Sequence, residues 1–391
     1  MSQTRKVLEL GGRKITLVGT AHVSKESIEE VESTIRELNP DCIAIELDEK
    51  RAESIRNPEK FRQLDIIKIL RNHEGFLMMA NLILSSFQRR MGQNVGVRPG
   101  DEMLAAMRVA DEMGIPSVMV DRPIQTTLRR AWAKNSFWGK MKLLASLFTS
   151  AFSKEEVSQD EIEKLKTDSE MDSMMSELSE YMPVIKKVLI DERDTYLAAG
   201  IWAAKGSNVV AVLGAGHLPG VVAHLEKMAA AEESADVSEI SVVPARGIAG
   251  KILGWIIPAA IIALIVSGFI YGGRQLGQKM IFEWIAYNSG LAAIFSLIAL
   301  AHPLTILAAF IAAPITSLCP FIGVGFVTGI VQAFFKKPKV SDMETLQDDV
   351  SSLRGWYKNR ILRVFLVFIL SSIGSSIGSF VAAGGFISDL V

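Results

Sequence analysis

Cysteine is scarce in this 391-residue chain, and neither sign of charge is in excess. The two cysteines, Cys42 and Cys319, exclude a disulfide framework and any metal site built on clustered thiolates. The 42 basic and 43 acidic side chains give no electrostatic argument for a nucleic-acid partner, and we expect none. The first residues also lack the apolar run of a secretory signal peptide, so none is expected.

Hydrophobic residues are unevenly distributed along the chain. The mean hydropathy of +0.28 is high for a soluble protein, and the excess lies after residue 250. The length also exceeds that of a typical single domain. We therefore expect an α/β domain over residues 1–245, followed by an all-α, multi-span membrane domain over residues 246–391 with the lipid bilayer as its partner.

Five apolar stretches in the second half are candidates for membrane spans. A stretch of about 20 apolar residues is long enough to cross the hydrocarbon core as a helix. The stretches predict five spans, or fewer if the two between 303 and 335 form a re-entrant pair. Small residues four apart in two of them favour close helix packing, and a homo-oligomer is possible. The stretches are 252–271, 280–301, 303–318, 320–335 and 361–380, and the small pairs are Gly325 with Gly329 and Gly374 with Gly378.

Lysine and arginine in the loops predict the orientation. The connection 336–363 carries seven such residues and is expected to face the cytoplasm, whereas 272–279 carries only Arg274 and Lys279. An even number of crossings between 252 and 335 puts the first domain in the cytoplasm as well. An odd number puts it outside. We expect the cytoplasmic arrangement.

The first 245 residues alternate between strand and helix patterns, which predicts a largely parallel sheet flanked by helices. A hairpin is expected over 7–18, turned at Gly11-Gly12, and the next helix ends at Asn39-Pro40. The expected strands after it are 41–47, 116–122, 208–213 and 240–243, and the expected helices include 59–90, 100–113, 191–199 and a helix from His217 to about Ala231.

Two charged stretches interrupt this pattern. Residues 129–152 mix five lysines and arginines with large apolar side chains, which is typical of a helix lying in a membrane surface. An ordinary helix with a basic rim fits them equally well. Residues 154–180 are acidic and polar, which indicates a solvated loop or helix.

The same local pattern occurs twice: a β-branched strand, a glycine and a histidine three residues later. The copies are Gly19-Thr-Ala-His22 and Gly214-Ala-Gly-His217. Loops at the carboxyl ends of parallel strands line the ligand crevice of such a sheet. Neutral imidazole is a common metal ligand, so the two histidines predict one metal site. The alternative is that each histidine only caps a helix or bonds within a turn.

Carboxylates are expected at the same edge of the sheet. Glu46 lies in an otherwise apolar strand, where an unpaired buried carboxylate is costly. A metal ion would remove that cost, and so would a pairing with Arg51, Arg122 or Arg193. Two histidines with one or two carboxylates form a catalytic rather than a structural metal site, and such a site favours hydrolysis.

The residues resemble the TraB/PrgY family of pheromone-shutdown proteins, which is related to the GumN and Tiki proteins. The resemblance rests on six motifs that occur in order: Gly19-Thr-Ala-His22, Ile45-Glu-Leu-Asp48 with Arg51, Arg98-Pro-Gly100 with Glu102, Asp121-Arg-Pro-Ile124, Glu192-Arg-Asp194 and Gly214-Ala-Gly-His217. It implies an α/β fold of the EreA, ChaN and Tiki type and metal-dependent cleavage of a peptide by metal-activated water.

The resemblance also implies roles for residues of this chain. The metal ligands would be His22, His217, Glu46 and Glu192, and the ion would be manganese, cobalt or zinc. Glu46, Glu192, Arg51 and Arg193 are the catalytic candidates. Arg122, Asp121 and Glu102 are the candidates for substrate binding. Tiki domains lie outside the cell, unlike the side expected here.

Three other functions compete with peptide cleavage. A non-catalytic membrane protein could bind and sequester a peptide signal without a metal. The stretch Gly214–Gly220 could be a phosphate-binding loop, although it lacks the Gly-x-Gly-x-x-Gly spacing and the Walker lysine. A transporter needs polar groups within its spans, and Glu283 is the main ionisable residue within them.

Overall fold

The computed structural model describes residues 5–20, 25–56, 100–152, 179–244, 248–319, 322–339, 342 and 345–390. These residues form two compact units, the first within 5–244 and the second within 248–390. The helix expected over 59–90 and most of the acidic stretch 154–180 lie outside the described residues. So do the start of the Arg98-Pro-Gly100 motif and His22.

The first unit is built on a five-stranded sheet with the strand order β1-β2-β5-β3-β4. Its strands are β1 (Arg5–Leu10), β2 (Arg13–Thr20), β3 (Cys42–Ile45), β4 (Ser117–Met119) and β5 (Asn208–Gly214). The expected hairpin is confirmed, because β1 pairs antiparallel with β2 and both turn glycines have positive φ. The other neighbours pair in parallel. The expected α/β fold class is therefore confirmed for this unit.

Helices cover both faces of the sheet. The helices of the first unit are α1 (Lys25–Leu38), α2 (Glu49–Arg56), α3 (Asp101–Met113), α4 (Ile124–Lys134), α5 (Phe137–Phe152), α6 (Pro183–Lys186), α7 (Glu192–Ala203), α8 (Leu218–Ala229) and α9 (Ser238–Ser241). A π-helical turn, Lys187–Asp191, joins α6 to α7, and a 3-10 turn, Ala215–His217, leads into α8.

The central strand β5 explains the layered core. Val209, Ala211 and Leu213 point to the face packed by α7 and α8, whereas Val210 and Val212 point to the face packed by α1 and α3. A strand buried on both faces reads as a continuous apolar run rather than an alternating one. Because β2, β5, β3 and β4 pair in parallel, their carboxyl ends lie at one edge of the sheet.

One predicted strand is wrong. Residues 240–243 were expected to extend the sheet, but the chain forms the helical turn α9, Ser238–Ser241. Val242 and Val243 follow it as exposed residues. Their β-branched side chains favour a strand, yet no backbone partner pairs with them among the described residues. Instead, the carbonyls of Glu239, Ile240 and Val242 accept hydrogen bonds from two buried arginines.

The second unit is helical. Its helices are α10 (Ile248–Ile298), α11 (Pro303–Thr316), α12 (Val324–Phe335), α13 (Leu346–Asp349), α14 (Leu353–Lys358) and α15 (Arg360–Leu390). α10 consists of two helices joined at Gly273, whose φ of 70° interrupts the helical backbone. Within the described residues, Trp255–Ile298 and Arg360–Leu390 are long and apolar enough to cross a membrane, and α11 and α12 are shorter apolar helices. The number of crossings and their direction stay predictions.

Small residues let the helices of this unit approach closely, as the spacing predicted. A Cβ atom at Gly374 would lie 2.5 Å from the carbonyl oxygen of Leu291, and one at Gly378 would lie 2.7 Å from that of Tyr287. Beside this contact, Ser375 and Ser379 each donate a hydrogen bond to the buried Asn288 Oδ1 at 3.2 Å. The second half of α10 and α15 therefore pack backbone to backbone.

The same substitution at two glycines of α15 should change stability in opposite directions. Gly378→Ala forces a methyl group against the Tyr287 carbonyl and should cost about 1–3 kcal/mol through overpacking. Gly384→Ala meets nothing within 4 Å and should stabilise the helix by up to about 1 kcal/mol. Thermal unfolding of the detergent-purified full chain measures both. Equal midpoints for the two variants would contradict the packing described.

Candidate functional site

Three elements of the sheet edge carry the polar residues that the sequence singled out. Glu46 directly follows β3, Asp121 lies just beyond β4, and His217 ends the 3-10 turn after β5. All three side chains are buried. β2 ends at Thr20 on the same edge, and His22 beyond it lies outside the described residues. The expected convergence of strand ends is thus seen for the three that are described.

Arg193, in the first turn of α7, joins these residues. Its Nη2 donates to Glu46 Oε1 at 2.5 Å and to Asp121 Oδ2 at 2.8 Å, and its Nε donates to Asp121 Oδ1 at 3.1 Å. Its Nη1 lies 3.1 Å from His217 Nε2. The pairing with Asp121 is bidentate, which is the strongest geometry available to an arginine.

The charge of Arg193 is stabilised by these partners. Burial alone lowers the pKa of the guanidinium, but the charges of Asp121 and Glu46 outweigh it and raise the pKa above its ordinary value. Glu46 also accepts a hydrogen bond at Oε2 from the Gly214 amide at 2.6 Å. The carboxylate that was hard to place in an apolar strand is therefore held by an arginine and a backbone amide. This matches the ion-pair alternative that the sequence left open.

His217 is fixed from its other side. Asp194 Oδ1 lies 2.5 Å from His217 Nδ1, and His217 Nε2 lies 3.6 Å from Glu46 Oε1. Burial raises the pKa of Asp194, although the hydrogen bond with His217 lowers it. A Cβ atom at Gly220 would lie 2.0 Å from Asp194 Oδ2, so only glycine leaves room for this carboxylate. The ring consequently presents Nε2 toward Glu46.

Glu192 lies in a different cluster. Its carboxylate binds Arg122 Nη1 at 2.7 Å, Arg130 Nε at 2.8 Å and Lys134 Nζ at 2.6 Å. Burial raises the pKa of Glu192, but the hydrogen bonds from Arg130, Lys134 and Arg122 outweigh it and hold the pKa at about 2. Both arginines are buried. The contacts of this carboxylate are with cations, so the structure does not place it with Glu46 and His217.

The remaining candidates lie at the rim or in the interior. Arg51 on α2 is half-exposed, and its Nη1 is 3.7 Å from Asp121 Oδ2. Asp48 accepts hydrogen bonds from the Lys50 and Arg51 amides and so caps α2.

Arg122 and Glu102 lie in the interior. Arg122 is buried and binds Glu192, Thr127 and the Val188 carbonyl, so its contacts are within the protein. Glu102 is buried in the first turn of α3.

Sequence reasoning missed Asp194, Arg130 and Lys134 as site residues. Asp194 belongs to the Glu192-Arg-Asp194 motif, but its position next to Arg193 does not reveal that its side chain contacts His217. Arg130 and Lys134 were read as part of a basic surface or rim over 129–152. Arg130 is instead buried against Glu192, and α5 begins only after it, at Phe137.

The glycine-rich turn does not resemble a phosphate-binding loop. The Gly214 amide donates to the Glu46 carboxylate, and Gly220 lies against the Asp194 carboxylate. Two carboxylates beside the turn repel an anion. These contacts therefore disfavour the alternative in which Gly214–Gly220 is a phosphate-binding loop.

The described donor groups share one feature with known metal sites, although Arg193 contacts both His217 Nε2 and Glu46 Oε1. In protein metal sites, a histidine that binds the ion through one ring nitrogen commonly donates the other ring N–H to a carboxylate. Asp194 is placed to accept such a bond from Nδ1 of His217. Among the described residues, no group of three or more histidine, cysteine or acidic side chains is arranged to hold an ion. His22 is not among those residues.

Comparison with known proteins agrees with the six motifs. A model of the TraB/PrgY/gumN family matches residues 6–233, and a model of the C-terminal domain of TraB family proteins matches residues 249–391. The chain belongs to the TraB/PrgY/gumN family. The resemblance drawn from the sequence is confirmed.

The relatives extend over most of the chain. An uncharacterized protein of Methanocaldococcus jannaschii is 35% identical over 383 residues, which is 96% of this chain and 95% of that protein. TraB domain-containing proteins of Mus musculus and Homo sapiens are each 28% identical, over 70% and 71% of this chain. These alignments cover 77% and 78% of the two mammalian proteins.

Removing the Glu192 charge should strongly destabilise the first unit. Glu192→Gln leaves the buried Arg122 and Arg130 without a carboxylate, which typically costs about 3–5 kcal/mol. The exposed Glu226→Gln, on α8, is the matched control and should change stability by less than about 0.5 kcal/mol. Denaturant unfolding of the two variants measures the difference, and equal midpoints would contradict it.

The same pair of proteins tests the pH dependence. The pKa of Glu192 is lowered from 4.5 to about 2, so its contribution is complete above about pH 4.5 and disappears as the pH falls through about 2. By linkage, the depression corresponds to about 3 kcal/mol. The wild type should lose this amount across that window, and Glu192→Gln should not. Parallel pH profiles for the two proteins would refute the assignment.

Proposed function

We propose that the first unit is a metal-dependent hydrolase that cleaves a peptide, and that the second unit attaches it to a membrane. One observation carries the proposal. Asp194 holds Nδ1 of the buried His217 at 2.5 Å, so that Nε2 faces Glu46 Oε1 across 3.6 Å. Such a carboxylate–histidine pair fixes the ring for ligation through Nε2. Family membership and the paired Gly-x-x-His motifs support it.

His217 and His22 would hold the ion, and Glu46 would be either a third ligand or the general base. A bound divalent ion polarises the peptide carbonyl and makes its water a stronger acid. Asp194 keeps the imidazole oriented. Glu46, which also bonds the Gly214 amide, is the candidate base that takes the proton of the attacking water. Water would add to the carbonyl carbon, and the proton accepted by Glu46 would pass to the nitrogen as the C–N bond breaks, which yields a carboxylate and an amine.

Arginines would orient the substrate. Arg193 keeps a bidentate partner in Asp121 even when Glu46 and His217 engage another cation. Its guanidinium therefore stays at the site, where it can stabilise negative charge that develops on the carbonyl oxygen. Arg51, half-exposed beside Asp121, can reach an acidic group of a peptide. Glu102 and Arg122 are internal, so a direct contact with substrate is not proposed for them.

The membrane part of the proposal rests on composition. Two helices of the second unit, Trp255–Ile298 and Arg360–Leu390, have the length and hydropathy of spans. We propose a multi-pass arrangement with the basic connection 336–363 and the first unit on the cytoplasmic side.

The second candidate function is metal-free binding of a peptide, which would sequester a signal rather than destroy it. Its supporting observation is that Arg193 already contacts both Glu46 Oε1 and His217 Nε2. A buried cation at these atoms competes with a metal ion for them. The two candidates differ in whether the purified protein carries metal.

Metal content decides between them. The full chain, loaded with manganese, cobalt or zinc and freed of excess, should hold about one equivalent by mass spectrometry. His217→Ala and His22→Ala should abolish binding, and Asp194→Asn should weaken it by about 10–100-fold. His224→Ala is the matched control, because His224 lies on α8 but contacts Glu233 and Thr195.

A folded wild-type protein without metal under these conditions would refute the hydrolase mechanism. Sequestration would then be tested by peptide binding. Metal retained in His217→Ala would place the ion elsewhere and would also overturn the site.

A further inference from the structure

The outer face of α5 exposes large apolar side chains. Trp138 is 75% exposed and Met141 is 38% exposed. Together with Lys142, Ala145 and Thr149 they recur at the spacing of one helical face, and all five are exposed. On the inner face, Leu143 packs against the cluster of Ala131, Ile185 and Val188. The helix is thus anchored on one side and presents tryptophan and methionine on the other.

The surroundings of this face are positively charged. Residues 122–152 contain six lysines and arginines and no acidic residue. Three of the six bind the single carboxylate of Glu192, so that cluster keeps a net positive charge. Lys140 and Lys142 carry two more charges on α5 itself. The exposed Glu180, next to Tyr181, is an acid close to this face.

The two lysines of α5 lie against aromatic rings. Lys140 Nζ is 5.4 Å from the ring centre of Trp132, and Lys142 Nζ is 4.9 Å from that of Tyr181, which is 57% exposed. The ammonium groups therefore lie over aromatic rings, in cation–π contacts that place positive charge beside apolar surface. Aromatic rings with lysine stems and charged tips match the boundary between lipid chains and headgroups.

We propose that the outer face of α5, together with Tyr181, rests on an anionic lipid surface. Trp138 lies at headgroup depth and Lys142, on the same face, meets anionic headgroups, whereas Lys140 lies on the side of the helix toward Trp132. Charge complementarity selects this partner, since an uncharged surface would gain nothing from the basic border. This contact adds to the membrane attachment proposed for the second unit, and the two attachments are tested independently of each other.

A spin label tests the contact. The background is Cys319→Ser, because Cys42 is buried and unreactive. Labels are placed by Trp138→Cys on α5, by Val7→Cys on β1 as a control exposed elsewhere, and by Ile270→Cys on α10 to report insertion of the second unit. The full chain is put into nanodiscs of phosphatidylcholine alone, or of equal parts phosphatidylcholine and phosphatidylglycerol, and into detergent. Collision with oxygen and with a nickel chelate reports depth.

The expected result is that the label at 138 becomes shielded from the chelate and accessible to oxygen in phosphatidylglycerol discs, while the label at 7 stays in water. A label at 138 that stays in water overturns the inference, whatever the label at 270 shows. A label at 270 in water with the label at 138 in lipid removes only the proposed attachment of the second unit. A label at 138 that is shielded from both the chelate and oxygen is buried in protein rather than in lipid, and this result also overturns the inference.

Charge reversal tests the role of Lys142. Lys142→Glu should move the label at 138 toward water in the anionic discs, because the loss of one surface lysine alone changes the ratio of immersed to free helix by about fivefold and charge reversal adds to that. Lys205→Glu makes the same charge change at an exposed position elsewhere and should leave the label immersed. Equal immersion of the label at 138 in the α5 variant and in the control variant would overturn the electrostatic part of the inference.

Discussion

The partly buried guanidinium of Arg193 makes the interactions on which the sheet edge depends. It ties a carboxylate after β3, a carboxylate after β4 and the imidazole after β5 to the first turn of α7. Three parallel strands end at that edge, and the carboxylates that follow β3 and β4 would repel each other without a cation. A buried charge is tolerated only when it is paired and hydrogen-bonded. Arg193 meets this condition with two carboxylates.

Two ion pairs connect the end of β4 with the start of α7. Asp121 and Arg122 lie just after β4, and Glu192 and Arg193 begin α7. Asp121 binds Arg193, whereas Glu192 binds Arg122. Each element therefore supplies one acid and one base to the other. A shift of α7 along its axis would break both ion pairs at once, so the register of the helix against the sheet is strongly specified.

Sequence patterns predicted most of the sheet, since β2, β3 and β5 are β-branched runs that end in glycine or charged residues. They also predicted that Glu46, Asp121 and His217 would converge. They failed for 240–243, because a strand needs a neighbouring strand and sequence alone does not supply one. They missed Asp194 because the direction of its side chain depends on Gly220, 26 positions away in the chain, leaving room for a carboxylate. The pattern over 129–152 predicts a surface position for Arg130, because its partner, Glu192, lies 62 positions away in the chain.

Charge balance separates the two clusters and bears on what the site binds. Around Glu192, three cations share one carboxylate, and the pKa of that carboxyl is held at about 2. Around Arg193 the balance is reversed, because Glu46 and Asp121 share its partly buried guanidinium, Arg51 beside them is half-exposed, and Asp194 pairs with His217. Burial raises the pKa of Asp194, although the hydrogen bond with His217 lowers it. A site with surplus carboxylates and an oriented imidazole gains stability from a further positive charge. A divalent ion at His217 and Glu46 would supply that charge, and so would the ammonium group of a bound peptide, whereas an anionic ligand would not.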